Sequence, residues 1–175
     1  MPQLTNEKIL LYLGGSSFVK GFHIVLKAID EILKRHSELR VIMTKVKRDK
    51  VPTQNCVVYE ELPYEEVVKL HANAHALLFP SIWEEPLPYA VMESMVMGTI
   101  PIASRIGGIP EIVEGTYAEE MLFEAGNVEE LVDRMESILV MSKEQIKDVG
   151  FGLREATLKR FNPEVTKRDL MRIFS

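Results

Sequence analysis

The stretch Ile9-Leu10-Leu11-Tyr12-Leu13-Gly14-Gly15-Ser16-Ser17-Phe18-Val19-Lys20-Gly21 decides the fold. Its first five residues are an apolar run without alternation, which is how a parallel strand covered on both faces reads. The glycine turn follows at once. Beyond it Phe22, Val25, Leu26, Ile29, Ile32 and Leu33 recur at helical spacing, between a start near Lys20 and an end near His36. Strand, glycine turn and helix in this order open a doubly wound sheet.

The same alternation continues outward. Short apolar runs recur at Val41-Ile42-Met43, Val57-Val58-Tyr59, Ala76-Leu77-Leu78-Phe79 and Ile100-Pro101-Ile102-Ala103, with a weaker one at Met121-Leu122-Phe123. Helices are expected between them. Tyr64 to Asn73 has Pro63 at its start and Glu65 and Glu66 in its first turn. Tyr89 to Met97 ends at Gly98, a usual residue at that position. Asn127 to Met141 opens on an N-cap, and Ser142 with Gln145 fits a capping box. After Phe161-Asn162-Pro163-Glu164 a last helix is expected to about Phe174. Strict alternation predicts an α/β fold: a doubly wound, mostly parallel sheet with helices on both faces. Pro52-Thr53-Gln54-Asn55 reads as a polar loop, so residues 1–175 read as one domain.

Composition narrows the functions. The net charge is -5, so no generic nucleic-acid or polyanion binding is implied. Residues 1–50 nevertheless hold ten Lys and Arg against five Asp and Glu, so an anionic ligand should draw on this part. The single cysteine, Cys56, excludes an internal disulfide and fits a reducing compartment. No apolar run reaches the roughly 20 residues of a membrane span, and the cytoplasm is the expected location.

In doubly wound sheets ligands bind at the carboxyl ends of the strands, and the motifs fall there. Gly14 and Gly15 permit close approach of a ligand to the backbone. The start of the next helix and Lys20 favour an anion such as a phosphate. The bland alternative is a tight turn with a solvated lysine. Neither the G-x-G-x-x-G fingerprint nor the Walker order is present, which argues against a dinucleotide or P-loop enzyme. After the fourth strand, Ser81-Ile82-Trp83-Glu84-Glu85-Pro86-Leu87-Pro88 places Glu85 in the loop at the strand's carboxyl end. Glu93 is the only charge on the helix Tyr89 to Met97, and such a carboxylate needs partners. Ribose hydroxyls would serve, as would solvent or a structural cation. Trp83 either lines a pocket or, as favoured here, packs to hold its loop. Gly107-Gly108-Ile109-Pro110-Glu111 forms a close-approach loop ahead of a short helix. Glu111 either complements that helix's N-terminus or meets a ligand, and Arg105 is a candidate anion partner. His23, His36, His71 and His75 form no convincing metal cluster.

Taken in order, the turn ending Lys20-Gly21, then Phe79-Pro80-Ser81, Glu85 with Glu93 eight residues on, and Gly107-Gly108-Ile109-Pro110-Glu111 resemble the C-terminal half of retaining glycosyltransferases of family 4. Those enzymes have the GT-B architecture of two facing Rossmann-like domains. The resemblance covers about residues 8–140, and Arg160-Phe161 looks like the end of that family. It implies a nucleoside diphosphate sugar, of UDP or GDP type, as donor substrate, with no cofactor and no metal. It implies transfer of a hexosyl group with retention. Lys20 would neutralise the donor diphosphate, Glu85 would hold hydroxyls of the transferred sugar, and these two are the candidate catalytic residues. Glu93 would bind the ribose. Backbone N–H groups near Leu87 and Tyr89 would approach the sugar or phosphate, and Gly14 and Gly15 would leave space for the donor.

The chain departs from the family pattern in three places. Gly15 stands where the family usually has an arginine, so diphosphate binding is weaker or relies on another cation. Pro86-Leu87-Pro88 replaces Gly-x-Gly, which removes N–H donors and stiffens the loop. The third is the absence of an N-terminal acceptor domain, so the chain reads as a separated donor-binding domain. Its last helix would normally pack on the missing half, leaving residues 163–175 loosely held. The expected partners are therefore a nucleotide sugar and that domain, with no nucleic acid and no membrane segment. Two other classes share this pattern: a non-catalytic nucleotide-binding regulatory module and half of a sugar-nucleotide epimerase. A receiver domain would want clustered aspartates where Gly14 and Gly15 stand.

Overall fold

The computed structural model describes residues 4, 7–51, 55–164, 167, 171 and 172. Six strands, β1 (Ile9–Tyr12), β2 (Arg40–Thr44), β3 (Cys56–Tyr59), β4 (Ala76–Phe79), β5 (Ile100–Ser104) and β6 (Leu122–Phe123), form one sheet. Every pairing is parallel, in the order β3-β2-β1-β4-β5-β6. The helices are α1 (Phe22–Arg35), α2 (Tyr64–Asn73), α3 (Tyr89–Met97), α4 (Ile109–Val113), α5 (Tyr117–Glu120), α6 (Val128–Leu139) and α7 (Lys143–Arg160).

Both faces of the sheet are covered, which is why the strands are apolar without alternation. In β1, Leu10 and Tyr12 enter the larger core with Val25, Ala28, Ile29 and Ile32 of α1. Ile9 and Leu11 point the other way, into a smaller core with Ile42, Ala74 and Leu77. The expected fold class is therefore the observed one: a doubly wound, Rossmann-like parallel sheet. Several boundaries move. The first strand ends at Tyr12 rather than Leu13, α1 starts at Phe22 because Gly21 is its left-handed N-cap, and β6 is only two residues long. The periodicity missed the single turn α5, capped by the Thr116 side chain, and a 3₁₀ turn at Arg48–Lys50. Asn127 caps α6, and Ser142 and Gln145 make the reciprocal capping box of α7, as read from the sequence.

Helix α7 returns across the back of α3. There Gly150 abuts the Gly98 backbone, where a Cβ would be 3.1 Å from the Gly98 carbonyl carbon and closer still to its oxygen. Arg154 donates to the Val96 carbonyl at 2.5 Å. Both contacts hold the helix that carries Glu93. The helix expected to run to Phe174 falls mostly outside the described residues, as does most of the Pro52–Asn55 loop. Among the described residues no helix is long and apolar enough to cross a membrane.

Candidate functional site

Strand order reverses between β1 and β4, and their carboxyl ends open a crevice there. A cavity of about 240 Å³ occupies it. Tyr12, Leu13, Gly14 and Lys20 line it from the β1 side; Leu77 to Pro80, Glu85, Leu87, Tyr89 and Ala90 line it from the β4 side. Five of the seven expected donor-site residues, Gly14, Lys20, Glu85, Leu87 and Tyr89, thus meet at one cavity although 75 positions separate the first from the last. Gly15 and Glu93 do not line it.

The glycine turn is held from below. The buried Tyr12 phenol donates toward the Gly15 carbonyl at 3.0 Å and stands 3.3 Å from the Lys20 carbonyl. Burial pushes its ionisation well above the ordinary tyrosine range, so it remains a donor. Sequence reasoning read Tyr12 only as core. Its signal was an aromatic hydroxyl placed immediately before a glycine turn.

Lys20 Nζ donates to Glu85 Oε1 at 2.6 Å, with the lysine side chain 37% exposed and the carboxylate 18%. Lys20 also stands 6.0 Å from the Phe79 ring centre, at the outer limit of a cation–π contact. The bland reading of Lys20 as a solvated lysine is therefore incorrect: it is half of an ion pair at the cavity wall. The Ser81 hydroxyl lies 3.1 Å from the same Glu85 oxygen and 3.2 Å from the Val19 carbonyl, which ties the two loops together.

The glycine loop after β5 buttresses Glu85. Gly108 N–H donates to the Glu85 carbonyl at 3.0 Å. A Cβ on Gly107 would stand 2.6 Å from that carbonyl oxygen, and one on Gly108 would stand 3.1 Å from the Pro86 carbonyl carbon and closer to its oxygen. The close approach expected of these glycines is real, but its object is the Glu85 loop rather than the cavity. Glu111 sits exposed in the first turn of α4, and Arg105 is exposed at the end of β5. Neither lines the cavity.

Glu93 is half-buried on α3 and accepts from the Tyr64 hydroxyl at 3.2 Å. Its partner is a tyrosine at the start of α2 rather than the structural cation considered from the sequence. Trp83 is 61% exposed, so it does not pack to hold its loop, contrary to expectation. The loop is held by hydrogen bonds instead: Trp83 N–H donates to the Ser81 hydroxyl at 3.3 Å and Ile82 N–H to the Val19 carbonyl at 2.9 Å. The buried histidines are engaged elsewhere. His71 Nδ1 is 3.2 Å from Thr99 Oγ1, and His75 Nδ1 accepts the Ile9 N–H at 3.2 Å. Among the described residues no three His, Cys, Asp or Glu side chains gather as metal ligands would.

The arrangement is a groove with one cation, one carboxylate and the N-terminus of α3, whose first N–H groups have no helical acceptor. Helix N-termini of this kind receive anions. The chain matches the family model described as Glycosyl transferases group 1 over residues 2–148. It is 24% identical over 174 residues to spore coat protein SA of Bacillus subtilis, covering 87% of this chain and 45% of that protein. It is 28% identical over 118 residues to an uncharacterised glycosyltransferase of Methanocaldococcus jannaschii, covering 62% and 30%. The chain thus spans less than half the length of these curated relatives. The fold is shared with Anabaena HepE solved in complex with UDP-glucose, at a TM-score of 0.74 and 16% identity, covering 97% of this chain and 49% of that one. With a family model matched over most of its length, this chain belongs to the glycosyl transferases group 1 family.

Proposed function

We propose that this chain is the donor-binding half of a two-domain glycosyltransferase. It takes a nucleoside diphosphate sugar of UDP or GDP type in the β1/β4 crevice, and a facing domain supplies the acceptor. The convergence of Lys20, Glu85 and the α3 N-terminus on one cavity carries this reading. The donor diphosphate takes the place of Glu85 as partner of Lys20. That frees the Glu85 carboxylate for the hydroxyls of a transferred hexose. The α3 N-terminus and Lys20 then stabilise charge on the leaving diphosphate, which is electrostatic and positional catalysis. Glu93, held by Tyr64, receives the ribose hydroxyls beyond the edge of the cavity. Retention of configuration follows from the family resemblance alone.

The test is a thermal-shift panel of UDP, GDP and ADP sugars, on the wild type and on Glu93→Ala. A donor at a hundred times its Kd should stabilise the native state by about 2.7 kcal/mol. Glu93→Ala should lose most of that shift. A wild type that responds to no nucleotide refutes the donor site, and an unchanged response in Glu93→Ala refutes the ribose role.

A further inference from the structure

The Lys20–Glu85 pair has no net charge, so the cavity wall offers a multiply charged anion little beyond one shared cation and a helix terminus. The carboxyl end of β2 holds another cation. Lys45 follows Thr44, the last residue of β2, and is exposed. It is one of only two described non-glycine residues with positive φ, at 58°. A left-handed lysine is unfavourable, and such outliers gather where a ligand is handled. The backbone there is fixed by the Lys45 N–H bond to the Tyr59 carbonyl at 2.8 Å.

Lys45 also abuts the glycine turn. Gly15 has φ 65°, and a Cβ placed on it would stand 3.1 Å from the Lys45 carbonyl oxygen and 3.2 Å from the Lys45 Cβ. The stem of Lys45 therefore starts from the space that a side chain at position 15 would enter. Gly14, next in the chain, lines the cavity. A lysine stem is a flexible four-carbon chain, long enough to bring its ammonium across one glycine. Lys47, Arg48 and Lys50, further along the same loop, are exposed as well but stand further along the chain from the glycine turn, and Arg105 is an exposed cation at the end of β5. The Gly107–Gly108 loop that follows Arg105 packs on the Glu84–Pro86 backbone, and Glu85 lines the cavity.

We propose that Lys45 is a diphosphate ligand of the donor site, supplying from β2 the second cation that Gly15 does not supply from the glycine turn. This rests on the donor-site reading above. A side chain kept at a left-handed position that glycine would fill without strain supports a role for that side chain.

Lys45→Gly separates charge from fold, since it removes the ammonium while relaxing the backbone. Titration of the whole chain with UDP and GDP, and with uridine and guanosine, reads the effect. Lys45→Gly should weaken diphosphate binding roughly tenfold, as loss of a hydrogen bond to a charged group would. It should leave nucleoside binding and melting temperature no lower than in the wild type, and Lys45→Arg should restore most of the affinity. The dependence of affinity on salt should be shallower in Lys45→Gly than in the wild type. Undiminished diphosphate binding in Lys45→Gly, or a loss that follows Arg105→Met instead, overturns the assignment of Lys45 alone. A wild type that binds neither UDP nor GDP overturns the donor-site reading on which it stands.

Discussion

Gly21→Ala is the most informative substitution for the architecture of the site. Gly21 caps α1 with φ 73° and lies under the end of β4. An alanine there bears two separate costs. The left-handed conformation costs an L-residue about 1–2 kcal/mol. In addition, its Cβ would stand 2.6 Å from the Pro80 carbonyl carbon and 3.0 Å from Pro80 Cγ, and closer still to the carbonyl oxygen. Backbone cannot give way as a flexible side chain can. Pro80–Ser81 would have to withdraw from Val19–Gly21, which breaks the Ile82 N–H bond to the Val19 carbonyl at 2.9 Å and the Ser81 contact with the same oxygen at 3.2 Å. At about 1 kcal/mol for each lost hydrogen bond, the total is about 3–4 kcal/mol. For a domain of this size that corresponds to a fall in melting temperature of roughly 6–16 °C. The control is Gly115→Ala. Gly115 has φ 70° but nothing within 4 Å of the added Cβ, so it incurs the conformational cost alone. Urea unfolding of both variants isolates the packing contribution as their difference, about 2 kcal/mol. If Gly21→Ala is no less stable than Gly115→Ala, the claim that this glycine brings the two sides of the crevice together is wrong.

Acid should destabilise the protein through two buried histidines. Burial lowers His71 to about 4, and burial, with Lys8 and Lys143 as lesser causes, lowers His75 to about 4. The unfolded chain takes up protons below the ordinary value of about 6.5, whereas the folded chain does not until about 4, so stability is lost as pH falls through that window. The expected loss is about 2 kcal/mol per histidine between pH 7 and pH 5, measured by urea unfolding. His71→Leu should flatten the profile, and an unchanged slope would show that His71 is not held neutral. Ser142→Ala removes the cap of α7 and should cost about 1 kcal/mol, while a change below about 0.3 kcal/mol would mean the capping box is idle. Tyr64→Phe leaves Glu93 without its hydroxyl partner, so if Glu93 meets ribose, uridine affinity should fall by a few-fold while stability stays within about 1 kcal/mol. Equal binding by wild type and Tyr64→Phe would show that Tyr64 does not position Glu93.

Local chemistry was legible in the chain itself. Ile9 to Leu13 lacks alternation because both faces of β1 are buried, and that requirement is written into every residue of the run. The apolar stripe of α1, the Asn127 cap and the Ser142–Gln145 box act over three or four residues, so spacing alone reveals them. The family order of Lys20, Glu85 and the glycine loop was legible for the same reason, as short motifs in sequence. Tertiary structure decided what those motifs touch. Lys20 and Glu85 are 65 residues apart and become an ion pair only because β1 lies beside β4. Glu93 meets Tyr64 across 29 residues because α2 and α3 pack on one face of the sheet. The Trp83 ring is exposed because hydrogen bonds, its own backbone N–H to Ser81 among them, hold the loop without the side chain. Gly107 and Gly108 support Glu85, and Lys45 meets Gly15, through contacts between loops from different strands. Such contacts depend on which strands are neighbours. Strand order is settled by the packing of the whole sheet and leaves no local spacing to read.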